Sequence, residues 1–132
     1  MLTVDVYSFS YKKGYPEATG DNGGGFVFDC RYLNNPGRYE EYKTKTGRDH
    51  EVKEFLREKS TIGDFLENIW KITDEAIENY ISRGFTSLQI AFGCTGGQHR
   101  SVYSAEETAK HILHKFKSEE VGVNLIHREQ RG

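Results

Sequence analysis

Residues 88–101 constrain the fold more than any other stretch of the chain. In Leu88-Gln89-Ile90-Ala91-Phe92 the bulky apolar residues Leu88, Ile90 and Phe92 alternate with others, the pattern of a half-buried strand. Gly93, Gly96 and Gly97 follow, and residues without a Cβ let a backbone turn tightly and approach a ligand. Beyond them Val102, Ala105, Ala109, Ile112, Leu113 and Phe116 recur at helical spacing. Strand, glycine loop and helix in that order aim free N–H groups and the positive helix end at one spot. A phosphate suits such a spot. His99 and Arg100 would add charge and a bidentate fork, and Thr95 and Ser101 would add hydroxyls.

Known phosphate loops narrow the options. A Walker A loop needs Lys and Ser/Thr after its last glycine, and Gln98 and His99 stand there instead. Cys94 and Arg100 do satisfy the Cys-x5-Arg spacing of cysteine-dependent phosphatases, with Ser101 next. In those enzymes a thiolate attacks phosphorus, the Arg grips two oxygens, and a helix N-terminus lowers the thiol pKa. The same residues therefore suit a binding pocket or a nucleophile, whose general acid would be Asp29, Asp49 or Asp64. A glycine turn beside a surface arginine is the plain alternative.

A length of 132 residues allows one domain with a real core. With 36% hydrophobic and 29% charged residues the composition is that of a soluble globular protein. No apolar run reaches the roughly 18 residues of a membrane span, so a cytoplasmic protein without a membrane partner is expected. Cys30 and Cys94 are too few for a disulfide framework and read as reduced thiols. A net charge of −2 argues against a broad nucleic-acid footprint.

Along the chain, residues 2–9 alternate as a first strand, and residues 10–16 form a turn-rich loop. Residues 21–25 read as a mobile loop within the domain. Residues 26–31, nearly all apolar at first, suggest a central strand ending in Asp29 and Arg31 on one face. On position alone that pair is either part of a site at the strand's carboxyl edge or a solvated salt bridge. Residues 38–49, rich in Arg, Lys and Tyr, suggest a lid or second wall of the pocket, or else a solvated basic loop. Asp49 caps a short helix over Val52, Phe55 and Leu56. A long helix starts near Ser60 or Thr61, runs from Ile62 to Ile81, and stops at Gly84. Trp70 on its apolar stripe is expected to pack. The last helix covers residues 100–117, with Glu106–Lys110 and Glu107–His111 spaced for pairing. His111 and His114 read as solvated rather than metal-binding, and no metal or cofactor is implied. A final strand spans residues 121–125 and leads to His127 and Arg128. The sum is a single small α/β domain with about four strands in a mixed sheet covered by helices, its last β-α-β unit a parallel right-handed crossover.

The run Gly93-Cys94-Thr95-Gly96-Gly97-Gln98-His99-Arg100-Ser101-Val102-Tyr103 resembles the signature of the C-terminal domain of the RapZ family, the RNase adapter proteins. So, in order, do Ser8-Phe9-Ser10-Tyr11-Lys12-Lys13-Gly14, Asp29-Cys30-Arg31-Tyr32-Leu33-Asn34-Asn35-Pro36, Thr46-Gly47-Arg48-Asp49 and His127-Arg128. The resemblance spans nearly the whole chain and implies a fold similar to the ligand-binding part of phosphofructokinase. It implies a non-catalytic sensor of a phosphorylated metabolite, glucosamine-6-phosphate. Thr95, Gly96, Gly97 and Ser101 would cradle the phosphate, His99 and Arg100 would clamp it, and Asp29, Arg31 and Lys13 would read the sugar or its charge. It further implies partners: a small regulatory RNA, an RNase, and a separate ATPase-domain protein. For RNA the candidate contacts are Lys43, Lys45, Arg128 and Arg131, and a pure RNA-binding module is a third reading. The chain departs from the family in three places. Gln98 stands where Lys is common, Lys13 replaces a histidine, and the basic tail is shortened to residues 128–132. No N-terminal P-loop domain is seen, so ATP binding does not carry over.

Overall fold

The computed structural model describes residues 1–18 and 20–130. Strand β1 (Leu2–Ser10) is followed by β2 (Gly25–Asp29), helices α1 (His50–Lys59) and α2 (Ile62–Ser82), β3 (Ser87–Cys94), α3 (Arg100–Lys115) and β4 (Val121–His127). The strands form one sheet in the order β2-β3-β1-β4. Every pairing is parallel: Val6 lies opposite Ile90 on one side and Leu125 on the other, and Phe28 lies opposite Phe92.

The expected mixed sheet is thus corrected to an all-parallel one. No two strands are joined by a tight hairpin, and each connection is long enough to carry the chain back to the sheet's starting edge. The final β-α-β unit is parallel as expected, but β1 lies between β3 and β4. Strand β2 is also displaced from its expected central place to an edge. Its Phe-Val-Phe run reflects one packed face, not two. Phe26 and Phe28 stack at 5.7 Å and Phe28 meets Phe92 at 5.6 Å, whereas Val27 on the other face is 47% exposed.

Strand order sets the layers. The steps from β2 to β3 and from β3 to β4 run the same way across the sheet, so right-handed crossovers place α2 and α3 on one face. There Val4, Val6, Leu88, Ile90 and Phe92 join Ile69, Ile77, Ala105 and Ile112 in one cluster, all buried. The step from β1 to β2 runs backwards, and its irregular connection belongs on the opposite face. Asn22 in that connection accepts the backbone N–H of Thr86 at 2.9 Å and of Ser87 at 3.2 Å.

Local chemistry places the helix ends. The Ser60 hydroxyl donates to the Leu56 carbonyl at 2.6 Å and accepts from the Ile62 N–H at 3.2 Å, joining the end of α1 to the start of α2. Gly84, at φ +72°, ends α2 in the left-handed conformation, with the Phe85 N–H reaching back to the Tyr80 carbonyl at 2.9 Å. Asp49 sits at the cap position of α1, but its carboxylate accepts the Thr46 N–H instead of a helical one. Trp70 packs as expected: its indole N–H donates to Thr108 at 3.0 Å and its ring stacks on His111. The helix pairs expected on α3 do not form. Lys110 pairs with Glu107, His111 with Asp74 of α2, and Glu106 lies 3.7 Å from His127. Leu113, read as part of the apolar stripe, is exposed.

Candidate functional site

The loops leaving β1 and β3, two adjacent strands, depart to opposite faces of the sheet. Such a switch point opens a crevice at the carboxyl ends of the strands, where open α/β sheets bind ligands. Here the Ser10 hydroxyl donates to the Thr95 carbonyl at 2.6 Å, tying the two strand ends together. A Cβ at Gly93 would come within 2.5 Å of the Phe9 and Tyr11 rings, so only glycine fits beneath them. Gly97 turns the loop at φ +71°.

Beside this junction, at the ends of β2 and β3, lies a polar cleft of about 310 Å³. Arg31, Arg38 and Arg100 line it together with Thr95, Asn35 and Tyr39, and no Asp or Glu is among its lining residues. Arg100 opens α3 and is only 4% exposed. One of its terminal nitrogens donates to the carbonyls of Arg31 at 2.8 Å and Leu33 at 3.0 Å, and its buried Nε has no hydrogen-bond partner. No carboxylate forms an ion pair with it among the described residues. Arg31 is more exposed: its guanidinium grips the Asp29 carboxylate at 2.7 Å and covers the Tyr11 ring at 3.9 Å. That grip holds the Asp29 carboxyl below the usual carboxylate range. Burial pushes the Tyr11 hydroxyl up to about 12, with the Asp29 charge adding to the effect.

Of the residues singled out in the sequence, Thr95, Arg31 and Arg100 therefore share one cleft, with Asp29 bound to Arg31. His99 accompanies them differently. Its Nε2 bonds the Tyr42 carbonyl at 2.9 Å, while the Gln98 carbonyl accepts the Gly47 N–H at 2.8 Å. Residues 98–100 thus hold the 31–47 segment at three places. Gly47 is pressed onto the start of α3, where a Cβ would meet the His99 carbonyl oxygen at 2.4 Å and the Tyr103 nitrogen at 2.5 Å. The expected second wall exists in the part carrying Arg38 and Tyr39. Lys43 and Lys45 are instead paired at the surface with Glu40 and Glu51.

Gly96 is exposed and Gly97 is buried beneath the C-terminal segment, where a Cβ would lie 2.7 Å from Glu129. The Glu129 carboxylate accepts the Ser10 N–H at 2.7 Å and the Arg128 guanidinium at 2.7 Å. Burial works to raise its pKa, but those two donors outweigh it and leave the carboxyl below its ordinary value. Arg128 also donates to the Gly14 carbonyl at 2.8 Å. Lys13, exposed at the end of a 3-10 turn (Tyr11–Lys13), does not line the cleft, though its charge reaches Glu129. Arg131 lies outside the described residues.

Ser101 and Cys94 are both buried, with Oγ and Sγ 3.1 Å apart. Cys94, only 2% exposed, is not among the residues lining the cleft. Cys30, also a free thiol, is pushed up by burial. Sequence reasoning missed Asn35 and Phe55 as cleft residues. Only the turn signal Asn35-Pro36-Gly37 hinted that the chain would fold back there.

The RapZ C-terminal domain model matches residues 2–131. The chain belongs to this family. Among its relatives, a nucleotide-binding protein of Fervidobacterium nodosum is 40% identical over 97% of the chain and 42% of its own length. One of Thermosipho melanesiensis is 41% identical over 94% of the chain and 41% of its own length. A third, of Ruegeria, is 37% identical over 99% of the chain and 41% of its own length. This RapZ-type domain thus spans about two-fifths of those relatives. No helix among its described residues is long and apolar enough to cross a membrane.

Proposed function

We infer that this domain binds a phosphorylated metabolite in the arginine-lined cleft and signals its presence without chemical turnover. The observation that carries this reading is Arg100, a buried cation with an unpaired Nε, no ion-paired carboxylate among the described residues and a place in the cleft wall; only the Asp29 charge, already gripped by Arg31, reaches it. A charge taken out of water is costly unless an opposite charge meets it, and a phosphate in the cleft would do so. Arg31 and Thr95 would complete the seat, with Arg31 supplying the N–H groups that Asp29 leaves free. The neighbouring switch point supports the same location.

The family resemblance gives the ligand as glucosamine-6-phosphate. In this reading Asp29, bound to the cleft residue Arg31, would be the acidic group that meets the amino group. The relatives are named nucleotide-binding proteins, but they are chains more than twice as long, and that name is carried here only as phosphate binding. A small RNA and an RNase are the partners the resemblance suggests, with Arg128, Lys43 and Lys45 as surface cations. The pairing of both lysines with glutamates leaves them weaker contacts for an RNA backbone.

The test is a two-dimensional NMR titration of the labelled protein with glucosamine-6-phosphate, with inorganic phosphate as the control. Shifts centred on Arg31, Thr95 and Arg100, saturating with the sugar phosphate well before phosphate, are expected. Shifts scattered over the surface, or equal responses to both, would refute the reading.

A further inference from the structure

One wall of the cleft is aromatic. Tyr39 and Phe55 line it with ring centroids 5.4 Å apart, and Tyr42 completes the cluster at 6.3 Å from Tyr39 and 5.4 Å from Phe55. Phe55 and Tyr42 pack against the hydrophobic core, whereas Tyr39 is the outer ring and stays 47% exposed. Its backbone is firmly set between two 3-10 turns, Pro36–Arg38 and Glu40–Tyr42. The Tyr39 N–H donates to the Pro36 carbonyl and its own carbonyl accepts the Tyr42 N–H, both at 3.0 Å. His99 holds the second turn through its 2.9 Å bond to the Tyr42 carbonyl. The ring is thus in place before a ligand arrives, which spares binding the cost of ordering it. Tyr32 also lines the cleft, but it is 68% exposed and packs on Phe65 of α2 rather than in this cluster.

A single exposed tyrosine is ordinary on a protein surface. One that walls a cationic cleft answers to what the cleft holds. At about 310 Å³ the cleft lies at the small end of metabolite sites, which run from roughly 300 to 1,000 Å³, with room for a sugar and its one phosphate. With the phosphate on Arg100 and Arg31, the carbon skeleton is left to the other lining groups. A pyranose has a flat face of C–H groups and a rim of hydroxyls. The electron-rich face of a tyrosine suits the first, and the Arg38 guanidinium and Asn35 amide are donors for the second. An open-chain sugar presents no such face and loses more rotational freedom on binding.

We propose that Tyr39 is a specificity-determining residue of the cleft, its ring the platform on which a sugar phosphate in its cyclic form lies. This deepens the phosphate-binding reading and rests on it. Arg100 and Arg31 hold the one phosphate, and Tyr39 distinguishes what is attached to it, favouring a sugar ring over an open chain of the same composition and charge.

Calorimetric titration with glucosamine-6-phosphate and with the open-chain alditol made by reducing it tests the platform. The cyclic ligand should bind roughly three- to tenfold more tightly, the usual gain from one aromatic contact. Tyr39→Ala and Tyr39→Leu, which remove the ring, should bring that ratio close to one, whereas Tyr39→Phe, which keeps it, should preserve the preference. The ratio compares two ligands on one protein, so a general loss of affinity or stability in a variant cancels from it. A wild-type ratio near one, or a ratio that survives in Tyr39→Ala and Tyr39→Leu, overturns the platform while the phosphate seat stands. A ratio lost in Tyr39→Phe assigns the preference to the hydroxyl and overturns the stacking role. Failure of both ligands to bind the wild type overturns the phosphate seat and, with it, the platform.

Discussion

Replacing Arg100 by Gln should separate stability from binding. In the free protein the side chain gives two charge-assisted hydrogen bonds, to the carbonyls of Arg31 and Leu33. Each contributes about 1.5–3 kcal/mol, but a cation held out of water without a direct ion pair costs several kcal/mol. The two nearly offset, so Arg100→Gln should lower stability by only about 1–3 kcal/mol. Binding has no such offset, because the phosphate would be the direct ion-pair partner that Arg100 lacks among the described residues. Truncating one partner of a buried charge pair costs about 2–5 kcal/mol, or a loss of affinity from roughly 30-fold to several thousand-fold. Urea unfolding with and without sugar phosphate reads both quantities. At a concentration 100 times Kd, the ligand should stabilise the wild type by about 2.7 kcal/mol. At that same concentration the variant should gain less than about 1 kcal/mol. A variant stabilised by ligand as much as the wild type would refute the argument that Arg100 awaits an anion.

Gly47→Ala should destabilise the domain by about 1–3 kcal/mol or more, since both atoms its Cβ would strike are backbone atoms of α3. A urea midpoint equal to that of the wild type would show that the contact is loose. Gly97→Ala should cost a similar amount, because a left-handed φ and the Glu129 side chain both oppose a Cβ; thermal unfolding would measure it, and an unchanged midpoint would contradict it. His127, whose Nδ1 lies 2.6 Å from the Ser8 hydroxyl, is pulled below its usual pKa by burial; Glu106 opposes the shift and Arg48 adds to it. The unfolded chain therefore takes up the proton first. The stability linked to a neutral His127 is complete above about pH 6.5 and falls as pH drops towards the folded value, with a slope of at most about 1.4 kcal/mol per pH unit. His127→Gln should flatten that limb between pH 7.5 and 5, and an unaltered slope would assign it to other groups.

What the sequence disclosed was local. Alternation in β1, the stripe on α2 and the Gly84 stop depend on neighbours a few residues away, and they came out nearly as read, whereas β3, read as half-buried, is buried on both faces because strands flank it on either side. Strand placement did not. The Phe-Val-Phe run of β2 looks the same whether one face is packed or two, and its neighbours in space are some 60 residues distant in the chain. The site divides in the same way. The glycine loop with Arg100 was visible as a motif, but the motif could not say that Arg100 would point back at the carbonyls of residues 31 and 33. Arg38 and Tyr39 reach the cleft only because residues 98–100 hold the 31–47 segment against α3, and no spacing in the sequence records that contact. His111 likewise found Asp74 across a helix interface instead of Glu107 along its own helix.

The central position of β1 bears on how the chain is made. Among the described residues its ladder partners are β3 and β4, with Val4 opposite Leu88 and Val123. Translation proceeds at about 5–20 residues per second, so β1 leaves the ribosome roughly 6–24 s before β4 has been synthesised. Until β3 has been made, Val4, Val6 and Phe9 have no sheet to enter, and the other edge of β1 stays unpaired until β4 arrives. Nascent chains arrested before residue 87 should accordingly be captured by chaperones and cut readily by protease, with full protection arriving only with β4. The strand that anchors the finished sheet is the one that must wait longest for it.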